Sequence, residues 1–206
     1  MKRIRTFVAI ELPPEVLREL TALQKYLDGA GAKVRWVKPE NMHLTIKFLG
    51  DVDFEKTSEI CRTIQNAVRD VEPFKVEVRG AGAFPGGGSP PRVIWASAIG
   101  AEEALSKIYG RLNEELAKFD IPREKRRFRP HITAGRVKSR TASERLAARV
   151  REQADRYFGE FEISELVFFM SELTSEGPIY TVLARIPLGG QKGAKPHRQM
   201  MHNDVD

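Results

Sequence analysis

The sequence predicts a fold of strands and helices in two pseudo-symmetric lobes that face each other across a cleft. Three observations lead there. Short β-prone runs alternate with amphipathic helical stretches. The alternation begins again after the Pro- and Gly-rich segment at 85–91. Two His-x-Thr triplets, His43-Leu44-Thr45 and His131-Ile132-Thr133, stand about 88 residues apart, the offset that relates the two runs of elements.

In the first copy, residues 4–11 are apolar and β-prone and read as a strand. Residues 13–29 follow as a helix, with Val16, Leu17, Leu20, Leu23 and Leu27 on one face, prolines at its start and Gly29 at its stop. Residues 34–37 form a short extended piece before Pro39, and 43–49 form a strand ended by Gly50-Asp51. A helical stripe of Ile60, Ile64, Ala67, Val68 and Val71 places a helix over 54–71, and 74–84 returns as a strand. The second copy gives a strand at 93–99 and a helix over 102–119 carrying Leu105, Ile108, Leu112 and Leu116. After a basic loop come a strand at 131–137, a helix over 142–158, one long strand at 161–173, a turn at Gly177-Pro178 and a last strand at 179–186. A single lobe would leave its sheet face uncovered, so residues 1–188 are expected to form one bilobal domain. Residues 189–206 are polar and read as a loose tail.

Composition narrows the function classes. The 206 residues carry 34 Lys and Arg against 28 Asp and Glu, a net +6, and 41% of them are hydrophobic. One cysteine, Cys61, excludes a disulfide framework and fits a reducing compartment. The apolar run 7–10 after the basic start is too short for a signal peptide, and no run is long enough to span a membrane. The expected protein is therefore cytoplasmic and monomeric. Residues 123–140 hold eight Lys or Arg and one acid, Glu124, so the positive excess brackets His131.

Two of the four histidines carry Thr at +2, at matching places in the two copies. On a strand, side chains alternate faces, so each imidazole shares a face with a hydroxyl while Leu44, Ile46, Ile132 and Ala134 enter the core. An imidazole transfers protons both ways near neutrality. Two facing ones can divide general base from general acid, while two hydroxyls donate to the oxygens of an anion. A phosphodiester split by in-line attack needs that set. Metal-ligand spacings are missing from the sequence, so no metal and no cofactor are expected. By the same parity Arg129 joins the His131 face and Lys47 the His43 face, making both candidate phosphate contacts. Phe7 and Tyr180 could stack on bases, with a core role favoured for Phe7.

At these residues the chain resembles the 2H phosphoesterase superfamily, and within it the RNA 2′,3′-cyclic phosphodiesterases, also called 2′-5′ RNA ligases. The resemblance runs from about Arg3 to Leu188. It extends to Arg5-Thr6-Phe7-Val8-Ala9-Ile10-Glu11-Leu12-Pro13, to Trp36-Val37-Lys38-Pro39-Glu40-Asn41-Met42 before His43, and to Lys47-Phe48-Leu49-Gly50 after it. Phe128-Arg129-Pro130 and Gly177-Pro178-Ile179-Tyr180 also belong to it. It implies a bilobal α+β fold with an antiparallel sheet and flanking helices in each lobe, and a cationic active cleft between them. It also implies hydrolysis of RNA 2′,3′-cyclic phosphate ends, tRNA fragments among the candidates, to 2′-phosphomonoesters, with 2′-5′ ligation as related chemistry. Carried over, His43 is the proton donor, His131 the acceptor, and Thr45 and Thr133 hold the phosphate; pseudosymmetry leaves the two histidine roles interchangeable. Ala134-Gly135 departs from the bulkier apolar residue that relatives often carry there. Two other readings stay open: a non-catalytic nucleotide- or RNA-binding module using the same cleft, and a phosphodiesterase for small cyclic nucleotides.

Overall fold

Strand and helix alternate along the chain because β-branched runs and 3.6-periodic stripes alternate in it. The structure, a computed structural model, describes residues 2–86, 89–139, 141–175 and 177–190. The expected tail, with His197 and His202, falls outside the described residues from 191 onward, as do Gly87 and Gly88. The elements are β1 (Arg3–Glu11), α1 (Pro14–Asp28), β2 (Val34–Trp36), β3 (His43–Asp53), α2 (Thr57–Val68), β4 (Phe74–Phe84), β5 (Val93–Ile99) and α3 (Glu102–Glu115). They continue as β6 (His131–Val137), α4 (Ser143–Glu152), β7 (Tyr157–Ile163), β8 (Glu165–Thr174) and β9 (Gly177–Pro187). No helix among the described residues is long and apolar enough to cross a membrane.

The strands form one antiparallel sheet in the order β7-β4-β5-β6-β3-β1-β8-β9, with β2 added beside β6. The two antiparallel sheets expected, one per lobe, are the two halves of this sheet. They are joined between β3 and β6 by one residue pair, Leu44 with Ile132. Helices α2 and α3 cover the β3-β1-β8-β9 half, while α1 and α4 cover the other. Each amphipathic helix supplies a buried stripe, as α1 does with Val16, Leu20, Leu23 and Leu27. Burying each such side chain contributes on the order of 1.5–3 kcal/mol. The opposite face of the sheet carries a smaller apolar cluster of Phe7, Ala9, Val167 and Phe169, flanked by Tyr180 and Val182.

Three expected elements differ. The strand expected to end at Gly50-Asp51 runs on to Asp53, with Gly50 at φ +75 inside it. The helix expected to 158 ends at Glu152, and Tyr157 opens β7. Gly159, at φ +138, lies in that strand. The one long strand expected at 161–173 is two, parted at Ser164. β7 pairs with β4 and β8 with β1, near opposite ends of the sheet. The chain therefore crosses from one half to the other at that point, and each half contains strands of both sequence copies.

Because Leu44 and Ile132 are both 0% exposed where the halves pair, Leu44→Ala is expected to lower the unfolding free energy by roughly 2–5 kcal/mol. Chemical denaturation measures this directly, and a loss under about 1 kcal/mol would show that the joint is not tightly packed.

Candidate active site

The Leu44–Ile132 pair also sets the orientation of the site. With both side chains turned into the helix-covered core, pleating sends their neighbours to the open face. In the antiparallel sense, His43 and Thr133 flank the pair on one side, and Thr45 and His131 on the other. All four are half-buried. The structure thus brings the four expected residues together on one face at the middle of the sheet.

Each imidazole is held in the same way. His43 Nδ1 lies 2.9 Å from the Asn41 carbonyl, and His131 Nδ1 lies 2.8 Å from the Arg129 carbonyl, in each case two residues upstream. A carbonyl oxygen can only accept, so Nδ1 carries the hydrogen and donates it. Nε2 is left on both rings as the atom that gains or loses a proton. The sequence showed the histidines but not these carbonyls, which depend on the path of the backbone before each strand, a short 3-10 turn at Pro39–Asn41 in the first.

Their surroundings differ. The His43 ring stacks on Phe7 with centroids 4.9 Å apart, meets the Tyr180 ring edge-on at 5.4 Å, and lies 6.5 Å from Phe169. Burial in this aromatic setting pulls the His43 pKa down to about 4, against a smaller upward pull from the Asn41 hydrogen bond. Phe7 is buried beneath the ring, so its role is packing, as favoured from the sequence. Tyr180 forms a wall beside His43, and its hydroxyl pKa is raised by burial. A cavity of about 330 Å³ adjoins His43, with Asn41, Phe169, Ile179 and Tyr180 among its lining residues. On the other half, His131 meets the edge of Phe84 at 5.7 Å, and Phe84 lies against Trp95 at 5.1 Å.

A shared irregularity follows both triplets. Val8 pairs with Lys47 and Ala9 with Thr45, leaving Ile46 as an extra residue on β3; Ile94 pairs with Gly135 and Trp95 with Thr133, leaving Ala134 extra on β6. Each bulge reverses the parity beyond it. Lys47 is therefore not on the His43 face, contrary to the parity reading. It is 1% exposed and points among the helices, with Nζ donating to Asn113 Oδ1 at 2.9 Å and to the Pro122 carbonyl at 3.3 Å. Burial lowers its pKa, and Glu124 opposes that. The open face instead receives Phe48, 56% exposed, and Arg136. Gly135 has a packing reason of its own, since an added Cβ would stand 2.7 Å from the Trp36 ring. The Arg129 side chain is exposed, and the carbonyl of the same residue holds the His131 ring. Among the described residues, no three His, Cys, Asp or Glu side chains gather as a possible metal-binding group.

The chain matches the family described as LigT like Phosphoesterase over residues 10–95 and 99–180. An RNA 2′,3′-cyclic phosphodiesterase of Methanothermobacter thermautotrophicus is 36% identical over 181 residues, covering 87% of this chain and 96% of that protein. One from Thermotoga maritima is 38% identical over 183 residues, covering 87% and 93%. Among solved structures, TT0787 of Thermus thermophilus superposes with a TM-score of 0.74 at 30% identity, covering 91% of this chain and 100% of that one. Apo LigT of E. coli gives 0.72 at 23% identity, covering 91% and 99%, a likeness of fold.

The buried setting of His43 has a measurable consequence. Its folded pKa of about 4 lies below the ordinary 6.5, so between those values the unfolded chain binds a proton that the folded chain does not. Stability from this residue therefore falls as pH drops through that window and is flat above it. An NMR titration of the free protein is expected to keep the His43 imidazole neutral down to about pH 4, and an ordinary midpoint near 6.5 would contradict the buried setting.

Proposed function

The chain belongs to the LigT-like phosphoesterases of the 2H superfamily, and from that membership we propose that it hydrolyses RNA 2′,3′-cyclic phosphate ends to 2′-phosphomonoesters. The observation that carries this reading is the pair of His-x-Thr faces set against each other at the Leu44–Ile132 joint, each imidazole with Nδ1 tied to a carbonyl and Nε2 left to act.

The cyclic phosphate lies across the joint. The Thr45 and Thr133 hydroxyls donate hydrogen bonds to its non-bridging oxygens, where negative charge grows during attack. His131 Nε2 takes a proton from a water, whose oxygen attacks phosphorus in line with the 3′ oxygen. As the P–O3′ bond breaks, His43 Nε2 gives its proton to that oxygen, leaving a 3′-hydroxyl and a 2′-phosphate. Burial keeps His43 neutral in the free protein. The anionic phosphate, arriving against the ring in a poorly solvated site, favours the charged imidazolium, so His43 takes up its proton as substrate binds. With an RNA 5′-hydroxyl in place of water, the same displacement gives a 2′-5′ linkage.

Protein treated with EDTA is expected to convert an RNA with a 2′,3′-cyclic end to the 2′-phosphate, and His43→Ala or His131→Ala to lower kcat/KM by about 10²–10⁴-fold. A 3′-phosphate product, or full activity in either variant, contradicts the reading. Sulfur in place of the bridging 3′ oxygen separates the two histidines, because a thiolate leaves without a proton. His43→Ala is expected to regain most of its loss on that substrate and His131→Ala none of it; the reverse pattern would exchange their roles.

A further inference from the structure

A second group of cations stands on the open face beside this site, drawn from three strands. Val34 and Trp36 of β2 lie against Gly135, where an added Cβ would meet them at 2.8 and 2.7 Å. Gly135 faces the helices, as its buried partner Ile94 does, so Arg35 between Val34 and Trp36 points to the open face. Arg136, the register partner of Arg35, is brought to the same face by the Ala134 bulge, and both residues are exposed. Two like charges directly opposite on one face destabilise a sheet. Among the described residues neither guanidinium has an acidic partner, although the two face each other across one register pair. An unfavourable pair of this kind is offset when an anion sits between its members.

The opposite half supplies the rest. Arg5, Ser171 and Tyr180 form one row across β1, β8 and β9. The Arg35 guanidinium reaches the start of β9, 3.4 Å from where a Cβ on Gly177 would stand. Arg5 and Arg136 both act on the Tyr180 hydroxyl, opposing the rise that burial causes. Tyr180 in turn stands edge-on to His43 at 5.4 Å. Arg5 and Arg136 thus stand near the hydroxyl of the aromatic ring whose edge meets the His43 imidazole.

We propose that Arg35 and Arg136, with Arg5 facing them, form a second anion subsite that holds the phosphodiester one nucleotide upstream of the cyclic end. The inference rests on the RNA cyclic phosphodiesterase reading and specifies its substrate: a chain of at least two nucleotides, gripped at two successive phosphates. Arginine suits the task because its planar fork contacts two oxygens of one phosphate. Contacts of this kind position the strand without reading its bases, so the subsite adds affinity for RNA of any sequence.

The test compares adenosine 2′,3′-cyclic phosphate with the dinucleotide ApA bearing the same cyclic end, on wild type, Arg35→Met, Arg136→Met and the double variant. The readout is the ratio of kcat/KM for the dinucleotide to that for the mononucleotide, which cancels any difference in folded fraction. The ratio is expected to fall about tenfold in each single variant. The salt dependence of log kcat/KM for the dinucleotide is expected to become shallower by about 1 per arginine. A wild-type ratio in the double variant, or equal losses on both substrates, overturns the subsite. Wild type turning over neither substrate refutes the phosphodiesterase reading instead. The subsite is then decided by the anisotropy of labelled ApA 2′-phosphate, where an affinity about tenfold weaker in the double variant supports it and an unchanged one overturns it.

Discussion

One contact between two buried side chains fixes the arrangement of everything that acts. Leu44 and Ile132 form the residue pair that joins the two halves of the sheet, and both are fully enclosed by the helix-covered face. Because strand side chains alternate, burying these two leaves no choice for their neighbours. His43, Thr45, His131 and Thr133 must appear together on the opposite face. These four side chains are thus placed by the hydrophobic effect acting on Leu44 and Ile132.

Around that joint the two copies are alike in their backbone and unlike in their surroundings. Both triplets end in a bulge, at Ile46 and Ala134, and both imidazoles donate from Nδ1 to a carbonyl two residues back. Beyond the bulges the copies part. One presents Phe48 and the other Arg136; one histidine rests on Phe7 and the other meets the edge of Phe84. Symmetry in the backbone leaves an equivalent Nε2 on each ring, and asymmetry in the side chains encloses His43 among aromatic rings whose burial lowers its pKa. The arginine row follows the same logic, since the Ala134 bulge that interrupts β6 is what turns Arg136 toward the cleft.

Much of this was legible in the sequence because the pattern is local. The offset between the two His-x-Thr triplets, the helical stripes and the turn residues all lie within short windows. The four central residues could be assigned to one face by parity alone. Parity then failed for Lys47, since a bulge adds one residue to one strand without any mark in the sequence that separates it from regular pairing. The division at Ser164 was hidden for a different reason. Residues 161–173 form a continuous β-prone run, and only pairing with β4 on one side and β1 on the other shows that it serves both halves. The facing of Arg35 and Arg136 was likewise out of reach, because it depends on a register between β2 and β6, which stand far apart in the chain.

The central claim is that the two histidines act as one unit across the Leu44–Ile132 joint. A double-mutant cycle on kcat/KM for a 2′,3′-cyclic RNA end, using His43→Ala, His131→Ala and the pair together, tests it most directly. Groups that serve the same step are strongly non-additive. The account predicts that the double variant loses about as much activity as the worse single variant. Losses that multiply, so that the double variant falls by the product of the two single effects, would contradict it.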